Sequence, residues 1–201
     1  DWVIAGRLPP PTRKIDFRLR VAQTESRALA HWTPVHVHLG ASETLGRVAI
    51  LKGGEIDPGG DGLAQLVLDN PIGAVNGDRL ILRDQSGQRT IGGGKVIDIN
   101  PPARGRGKPE RITFLEAMEQ TDEGTALAAV LDASPNGLLL DQFATTRNLT
   151  PEDMEILVDL IPMKSLETEN GTLGFSPAHW KKIRGTALEG LAAWHKKFPD
   201  T

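Results

Sequence analysis

Residues 64–98 read AQLVLDNPIGAVNGDRLILRDQSGQRTIGGGKVID and contain three short apolar stretches separated by turn residues. The stretches are residues 64–68, 79–83 and 90–99, the last of which continues one residue past this segment, and the turns between them are rich in Asn, Gly, Pro, Asp and Ser. Short runs of this kind, with no helical pattern between them, are typical of antiparallel β-strands. The three consecutive glycines at 92–94 indicate a sharp bend in the last strand or another backbone passing close to it.

The sequence upstream of residue 64 continues this pattern with DFRLRVA (16–22), VHVHL (35–39) and GRVAIL (46–51). In VHVHL the alternation places Val35, Val37 and Leu39 on one face of a strand and His36 and His38 on the other. About six short strands at regular spacing favour an antiparallel barrel or a sandwich over residues 15–100.

Downstream of the strands the composition changes twice. Residues 101–110 form a basic linker rich in proline and glycine. Helical stretches are then predicted at 111–119, 125–131, 138–147 and 151–161. Thr150-Pro151 and Ser176-Pro177 are helix starts, with the cap residue followed by proline at the first helical position, and Asn170-Gly171 is a hairpin turn. Helices followed by a two-stranded hairpin are the winged-helix order, which we predict for residues 111–201, with the last helix starting a further unit.

Charge is distributed unevenly along the chain, although the formal net charge is only −3. Residues 1–114 contain 16 Lys and Arg against 12 Asp and Glu, residues 115–169 contain 2 against 12, and residues 170–201 contain 5 against 2. The first part is therefore suited to approach a phosphate backbone, whereas the acidic middle would repel one. In particular, PEDMEILVDLI (151–161) carries four acidic residues and no basic one, which argues against its use as a DNA-recognition helix. The alternative is that solvent-exposed faces of the protein differ in charge without any role in binding a partner.

Several function classes are disfavoured. The chain has no cysteine, which excludes disulfides, thiolate zinc sites and cysteine nucleophiles. No apolar run approaches the roughly 20 residues of a membrane span, so no membrane partner is expected. The N-terminus is not a signal peptide, and the absence of an initiator Met predicts a fragment cut from a longer protein.

No catalytic motif is recognisable, and we predict no catalytic residue. The nearest approach to a phosphate-binding loop is Gly94-Lys95, but Val96 follows where a hydroxyl is needed, and Arg89 occupies the position of the first glycine. His31, His36 and His38 have spacing compatible with a metal site. Strand histidines are more often exposed or hydrogen-bonded, and we predict no metal.

The segments HWTPVHVHLGASETLGRVAIL (31–51), residues 64–98 as quoted above and PPARGRGKPERI (101–112) resemble the bacterial selenocysteine-specific elongation factors. The resemblance extends over nearly the whole chain. It implies a fold of two parts, an antiparallel β-barrel like the third domain of elongation factor Tu and then an all-α, winged-helix unit. Residues 1–14 would be the end of the preceding barrel and its linker. The GTPase domain would lie outside this chain, so the chain is expected to have no cofactor of its own, with GTP and Mg bound by the missing domain.

The resemblance also implies candidate RNA contacts. In such factors the third barrel holds the T-stem of the tRNA, through a loop that corresponds to Gln85, Ser86, Gly87, Gln88, Arg89 and Thr90, and a segment around His31, Thr33 and Val35. A Ser-Gly turn lets the backbone approach a phosphate, Gln88 and Thr90 offer hydrogen bonds, and Arg89 supplies charge. Arg89 could equally be a structural residue that caps the end of the barrel.

The expected function is to bind selenocysteyl-tRNA as part of a cytoplasmic, monomeric translation factor that works on the ribosome at recoded UGA codons. The mRNA hairpin would be reached only through winged helices beyond this chain. The alternative is a protein–protein or spacer module without RNA affinity of its own, which the acidic middle favours for residues 115–175.

Overall fold

A computed structural model describes residues 9–198. The predictions for residues 1–8 and 199–201 lie outside the described residues. The described strands are β1 (Thr12–Val21), β2 (Leu29–Ala30), β3 (Thr33–Leu39), β4 (Ser42–Ile50), β5 (Glu55–Ile56), β6 (Asp61–Ile72), β7 (Arg79–Arg83), β8 (Thr90–Asp98), β9 (Leu138–Leu139), β10 (Lys164–Thr168) and β11 (Gly171–Phe175). The helices are α1 (Pro109–Met118), α2 (Glu123–Asp132), α3 (Leu140–Arg147), α4 (Pro151–Leu160) and α5 (Pro177–Lys197).

Six strands form a closed antiparallel barrel in the order β1-β6-β4-β3-β7-β8, which confirms the barrel prediction. The alternation in the sequence becomes the inner and outer faces of the wall: Val35, Val37 and Leu39 are buried, and the histidines between them are half-buried. Closure removes the exposed edges that an open sheet would present. β2 and β5 pair as a separate two-residue ladder, which is too short for an alternation pattern to predict.

Strand β1 begins at Thr12, inside the segment that the sequence assigned to the preceding linker. Thr12 lies opposite Ile72 of β6, and the register between these strands shifts between Thr12 and Lys14. Because of this irregularity, β1 pairs with β6 from a residue that precedes the apolar alternation. The alternation alone therefore places the start of the strand too late in the sequence.

The helices and the outer wall of the barrel share one hydrophobic cluster. Leu51, Leu63 and Ile97 of the barrel side pack with buried residues of α1–α4. α1 begins at Pro109, with proline in the first turn, which is where proline is tolerated in a helix. The three-stranded sheet of the helical unit has the order β10-β11-β9. The helix predicted at 138–147 needs correction: residues 138–139 form β9, which is too short for a sequence pattern to predict, and α3 begins at Leu140.

A polar network completes this junction. Arg111 of α1 reaches Asp16 of β1 and Asp98 of β8, with 9% of the Arg111 side chain, none of Asp16 and 5% of Asp98 exposed. Gln65 Nε2 donates to Asp16 Oδ1 at 2.8 Å. Burial raises the pKa of Asp16 above the ordinary carboxyl value, and the Arg111 charge acts in the opposite direction. Each buried charge at this junction therefore has an opposite charge in contact.

Candidate nucleic-acid interface

A groove brings the two sequence-predicted contact segments together. β3 and β7 are neighbours in the barrel, with His36 opposite Arg83, so the loop that follows β7 lies beside the start of β3. The groove has a volume of about 270 Å³. Of the nine predicted contact residues, Thr33, Gln85 and Arg89 line this groove, and the other six do not. Residues that are about 50 positions apart in sequence thus face one concave surface.

Asp84 organises the loop that carries Gln85 to Thr90. Its Oδ1 accepts hydrogen bonds from Ser86 Oγ at 2.9 Å, from Gln88 N at 3.0 Å and from Arg89 N at 3.2 Å. These donors, with the Arg89 backbone foremost, hold the pKa of Asp84 below its ordinary value. Sequence analysis missed Asp84, although an aspartate two residues before Ser-Gly is a recognisable turn signal.

Gly87 at the tip of the loop has φ of 70°, a left-handed conformation that glycine adopts without steric cost. Its N–H donates to Asp84 O at 2.8 Å, and its carbonyl accepts from Arg83 Nη1 at 3.1 Å. Gln88 and Thr90, the predicted hydrogen-bond donors to RNA, are both exposed. The loop is therefore held in one shape by its own backbone while these side chains face solvent.

Arg89 is already paired in this structure. Its guanidinium forms an ion pair with Glu25, and its Nε lies 4.0 Å from Asp84 Oδ2. The Arg89 side chain is 56% exposed, against 12% for Glu25. A phosphate that approached Arg89 would compete with Glu25 for the guanidinium, so this pair sets how much charge the loop offers.

The second predicted segment differs among its three residues. His31 is exposed, and its Nδ1 donates to Ile50 O at 3.2 Å. Thr33 Oγ1 donates to Ala30 O at 2.7 Å. Val35 is only 1% exposed and belongs to the barrel core, so its side chain is not accessible to a ligand. The expected contact at Val35 therefore needs correction: the inward half of the alternation takes this side chain away from the surface.

His36 joins the loop to the barrel wall, a role that sequence analysis did not assign. Its Nε2 lies 3.1 Å from Gln85 O, and its Nδ1 lies 3.2 Å from Glu43 Oε1. His38 lies 3.8 Å from the same Glu43 oxygen. Within residues 9–198 no group of three or more His, Cys, Asp or Glu is arranged to hold a metal ion. His31 is directed to a backbone carbonyl instead of toward the other two histidines.

The helical unit presents charges of both signs. The four acidic side chains of α4 are exposed. Five cations are exposed on α5, namely Lys181, Lys182, Arg184, Lys196 and Lys197. Across the described part of the chain, no helix is both long and apolar enough to cross a membrane.

Comparison with known proteins identifies the barrel. Residues 16–103 match the family model described as selenocysteine-specific elongation factor, beta-barrel domain. The barrel of this chain is therefore similar to the barrel domain of the selenocysteine-specific elongation factors. This match begins within β1 and ends in the linker after β8, so it covers the rest of the closed barrel together with the Asp84–Thr90 loop.

Three selenocysteine-specific elongation factors are similar to the chain beyond the barrel as well. The Escherichia coli protein is 32% identical over 203 residues, which is all of this chain and 30% of that protein. The Haemophilus influenzae protein is 31% identical over 75% of this chain and 23% of its own length. The Desulfomicrobium baculatum protein is 25% identical over 94% of this chain and 30% of its own length. The chain thus spans less than a third of each of these elongation factors.

Proposed function

We propose that this chain is the part of a selenocysteine-specific elongation factor that contacts the T-stem of selenocysteyl-tRNA, through the groove between β3 and the Asp84–Thr90 loop. The single observation that carries the proposal is that Thr33, Gln85 and Arg89 line one groove of a barrel that is similar to the barrel domain of these factors. Such contacts to backbone oxygens would position the tRNA without reading its sequence. GTP and Mg would bind in a domain outside this chain. The chain itself would catalyse no reaction.

The domain assignment belongs to the same proposal. Residues 15–100 would be the tRNA-binding barrel and 101–110 the linker, and 111–201 would contain a winged helix. The order α2-β9-α3-α4-β10-β11, with β9 paired to β11 at the edge of the sheet, supports the winged-helix assignment. The whole factor would be a cytoplasmic monomer that delivers tRNA to the ribosome and reaches the mRNA hairpin through further winged helices.

The exposed acidic side chains of α4 favour a second role for the helical unit alone, as a spacer or protein-contact module. A surface of this charge would repel a phosphate backbone and would not bind RNA. The helical unit would then act as a spacer that sets the distance between the tRNA-bound and mRNA-bound ends of the factor. This role is compatible with RNA binding by the barrel.

A salt-series titration of the chain with selenocysteine tRNA tests the proposal. Arg89→Ala should weaken binding by roughly 1–2 kcal/mol, the scale of a hydrogen bond to a charged group. It should also reduce the slope of log affinity against log salt by about one. Glu25→Gln should act in the opposite direction, because it removes the carboxylate that competes for Arg89.

Arg79→Ala is the matched control, since Arg79 is an exposed barrel arginine at the end of β7 opposite to the loop. Its loss should leave the affinity close to that of the parent chain. Unchanged affinity and salt slope in both Arg89→Ala and Glu25→Gln would show that the loop is structural. An ordinary elongator tRNA, titrated in parallel, reports whether this groove discriminates between tRNAs.

A further inference from the structure

The indole of Trp32 is held on the surface at an unusual backbone position. Among the described non-glycine residues only Trp32, at φ of 72°, and Asn148 have positive φ. Asparagine tolerates this region, whereas for a bulky side chain it is an outlier that costs about 1 kcal/mol or more. Trp32 is 40% exposed, so part of this aromatic residue is open to solvent.

Hydrogen bonds fix this conformation. Trp32 N donates to Val48 O at 2.7 Å, and Trp32 O accepts from Arg47 Nη1 at 3.3 Å. The preceding residue is fixed as well, because His31 N donates to Gly54 O at 2.8 Å. The ring therefore projects from a rigid support on the barrel instead of from a loose loop.

Two side chains accompany the indole. The His31 ring stacks on it with centroids 6.0 Å apart and planes 25° apart. The Arg106 guanidinium carbon lies 5.3 Å from the centre of the indole ring. The linker that carries Arg106 passes close to the end of β4, where a Cβ placed on Gly107 would lie 3.1 Å from Leu51 O.

The charge around this aromatic is mainly positive. Arg47 donates to the Trp32 carbonyl, and Arg106 lies against the ring. The nearest carboxylate by strand pairing is Glu55, opposite Ala30. A displayed aromatic ring among cations is the combination that binds single-stranded nucleic acid, with the ring under a base and the cations at its phosphates.

We infer that Trp32, together with His31 and Arg106, forms a stacking site for an unpaired nucleotide of the bound RNA. This inference rests on the proposed RNA-binding function and adds a different kind of contact. Bases inside an RNA helix are stacked on one another, so only an unpaired base can lie on the indole. Thr33, the next residue in the chain, lines the groove that faces Arg89, so a single RNA can reach both places.

The experiment uses the 201-residue chain with Trp2, Trp180 and Trp194 replaced by Phe, which leaves Trp32 as the only fluorophore. Titration with selenocysteine tRNA should quench this fluorescence. Trp32→Asn removes the ring and introduces a side chain that tolerates the left-handed φ of this position. It should weaken RNA binding about tenfold, as expected for the loss of one base stacked on an aromatic ring. Trp32→Phe should retain most of the affinity. The salt slope should stay unchanged, unlike that of Arg89→Ala.

Trp194→Ala, made in the chain that keeps its other tryptophans, is the matched control. Trp194 is 46% exposed and has lysines near it in sequence, but it lies on α5, away from the barrel. If Trp32→Asn binds RNA with the parent affinity and the single-tryptophan chain shows no quenching, while Arg89→Ala still weakens binding, the stacking site is overturned and the proposed function stays intact. The indole would then only clamp the linker to the barrel or face a protein partner. Absence of any RNA binding by the chain would overturn both proposals. Quenching in the single-tryptophan chain, which keeps Trp32, reports on stacking even if the Trp32→Asn variant folds poorly.

Discussion

At the scale of single residues, closure of the barrel depends on a missing side chain at Gly94. A Cβ at this position would lie 2.1 Å from Arg18 O and 2.9 Å from Phe17 Cδ2, both in the neighbouring strand β1. The backbone carbonyl cannot move aside without breaking the β1–β8 ladder, so β8 accepts no side chain here. The run of three glycines is therefore explained by close approach of another backbone, one of the two alternatives that the sequence left open.

We predict that Gly94→Ala destabilises the chain by about 3 kcal/mol, the upper part of the usual range for overpacking. The measurement is the free energy of unfolding from urea titration. Gly73→Ala is the control, because a Cβ at Gly73 would meet no atom within 4 Å, and it should change stability by no more than about 0.5 kcal/mol. Equal effects of the two substitutions would refute the close-approach argument.

At the scale of elements, α4 is the helix that the sequence predicts best. Thr150 Oγ1 accepts from Asp153 N at 3.1 Å, and Asp153 Oδ2 accepts from Thr150 N at 3.0 Å, which is a complete capping box. All residues of this motif lie within four positions, so local sequence contains the information. β9 is the opposite case, since its two residues pair with β11, more than 30 positions away.

The capping box predicts a pH dependence. Hydrogen bonds from the Thr150 backbone and hydroxyl hold the pKa of Asp153 below its ordinary value of 3.8. Because the pKa is lower in the folded state, the stabilisation is present above about pH 4 and is lost as the pH falls through the folded-state pKa. Asp153→Asn should therefore lower stability at pH 7, and its difference from the parent should shrink below pH 4.

Urea unfolding at several pH values measures this difference. Glu155→Gln removes another exposed acid of α4 that lies beyond the first turn, and it serves as the control. A difference between Asp153→Asn and the parent chain that stays constant from pH 7 to pH 3 would contradict the capping argument.

At the scale of the whole molecule, the barrel and the helices are joined by contacts that composition does not reveal. Arg18 Nε donates to Glu119 Oε1 at 2.8 Å, and Asn100 Nδ2 donates to Thr146 Oγ1 at 3.0 Å. Asn76 Nδ2 donates to Met118 O at 3.3 Å. The linker rich in proline and glycine predicts two units in sequence, and partners up to 101 residues apart hold these units together.

The same distinction applies to the candidate site. The local pattern predicts the turn at Ser86-Gly87, the resemblance implies that Gln88 and Arg89 belong to a contact loop, and the fold brings that loop to Thr33. The pairing of Arg89 with Glu25 and the bridge through His36 depend on residues that are 64 and 49 positions apart from their partners. Contacts over such separations depend on the closed topology, which no local window contains.

Arg111 supplies the corresponding prediction. Arg111→Met leaves Asp16 and Asp98 buried without their cation and should destabilise the chain by about 3–5 kcal/mol. In the chain that keeps Trp32 as its only tryptophan, we also expect the unfolding transitions followed by Trp32 fluorescence and by helical circular dichroism to separate on this substitution, whereas they coincide without it.

Arg104→Met removes an exposed linker arginine as a control and should leave the two transitions together. The triple variant Arg111→Met, Asp16→Asn and Asp98→Asn should recover part of the lost stability, because no buried charge then lacks a partner. Failure of this variant to exceed Arg111→Met alone would show that the charges themselves are not the cause.

The buried contact of Arg111 with two barrel strands also has a mechanical meaning. A linker that contains glycine would allow two units to rotate about a hinge. Here Arg111 and the hydrophobic cluster around it connect the two units directly. We therefore expect the barrel and the first helices to move together as one body. A displacement at the groove would then reach these helices as a rotation instead of being absorbed by bending at the linker.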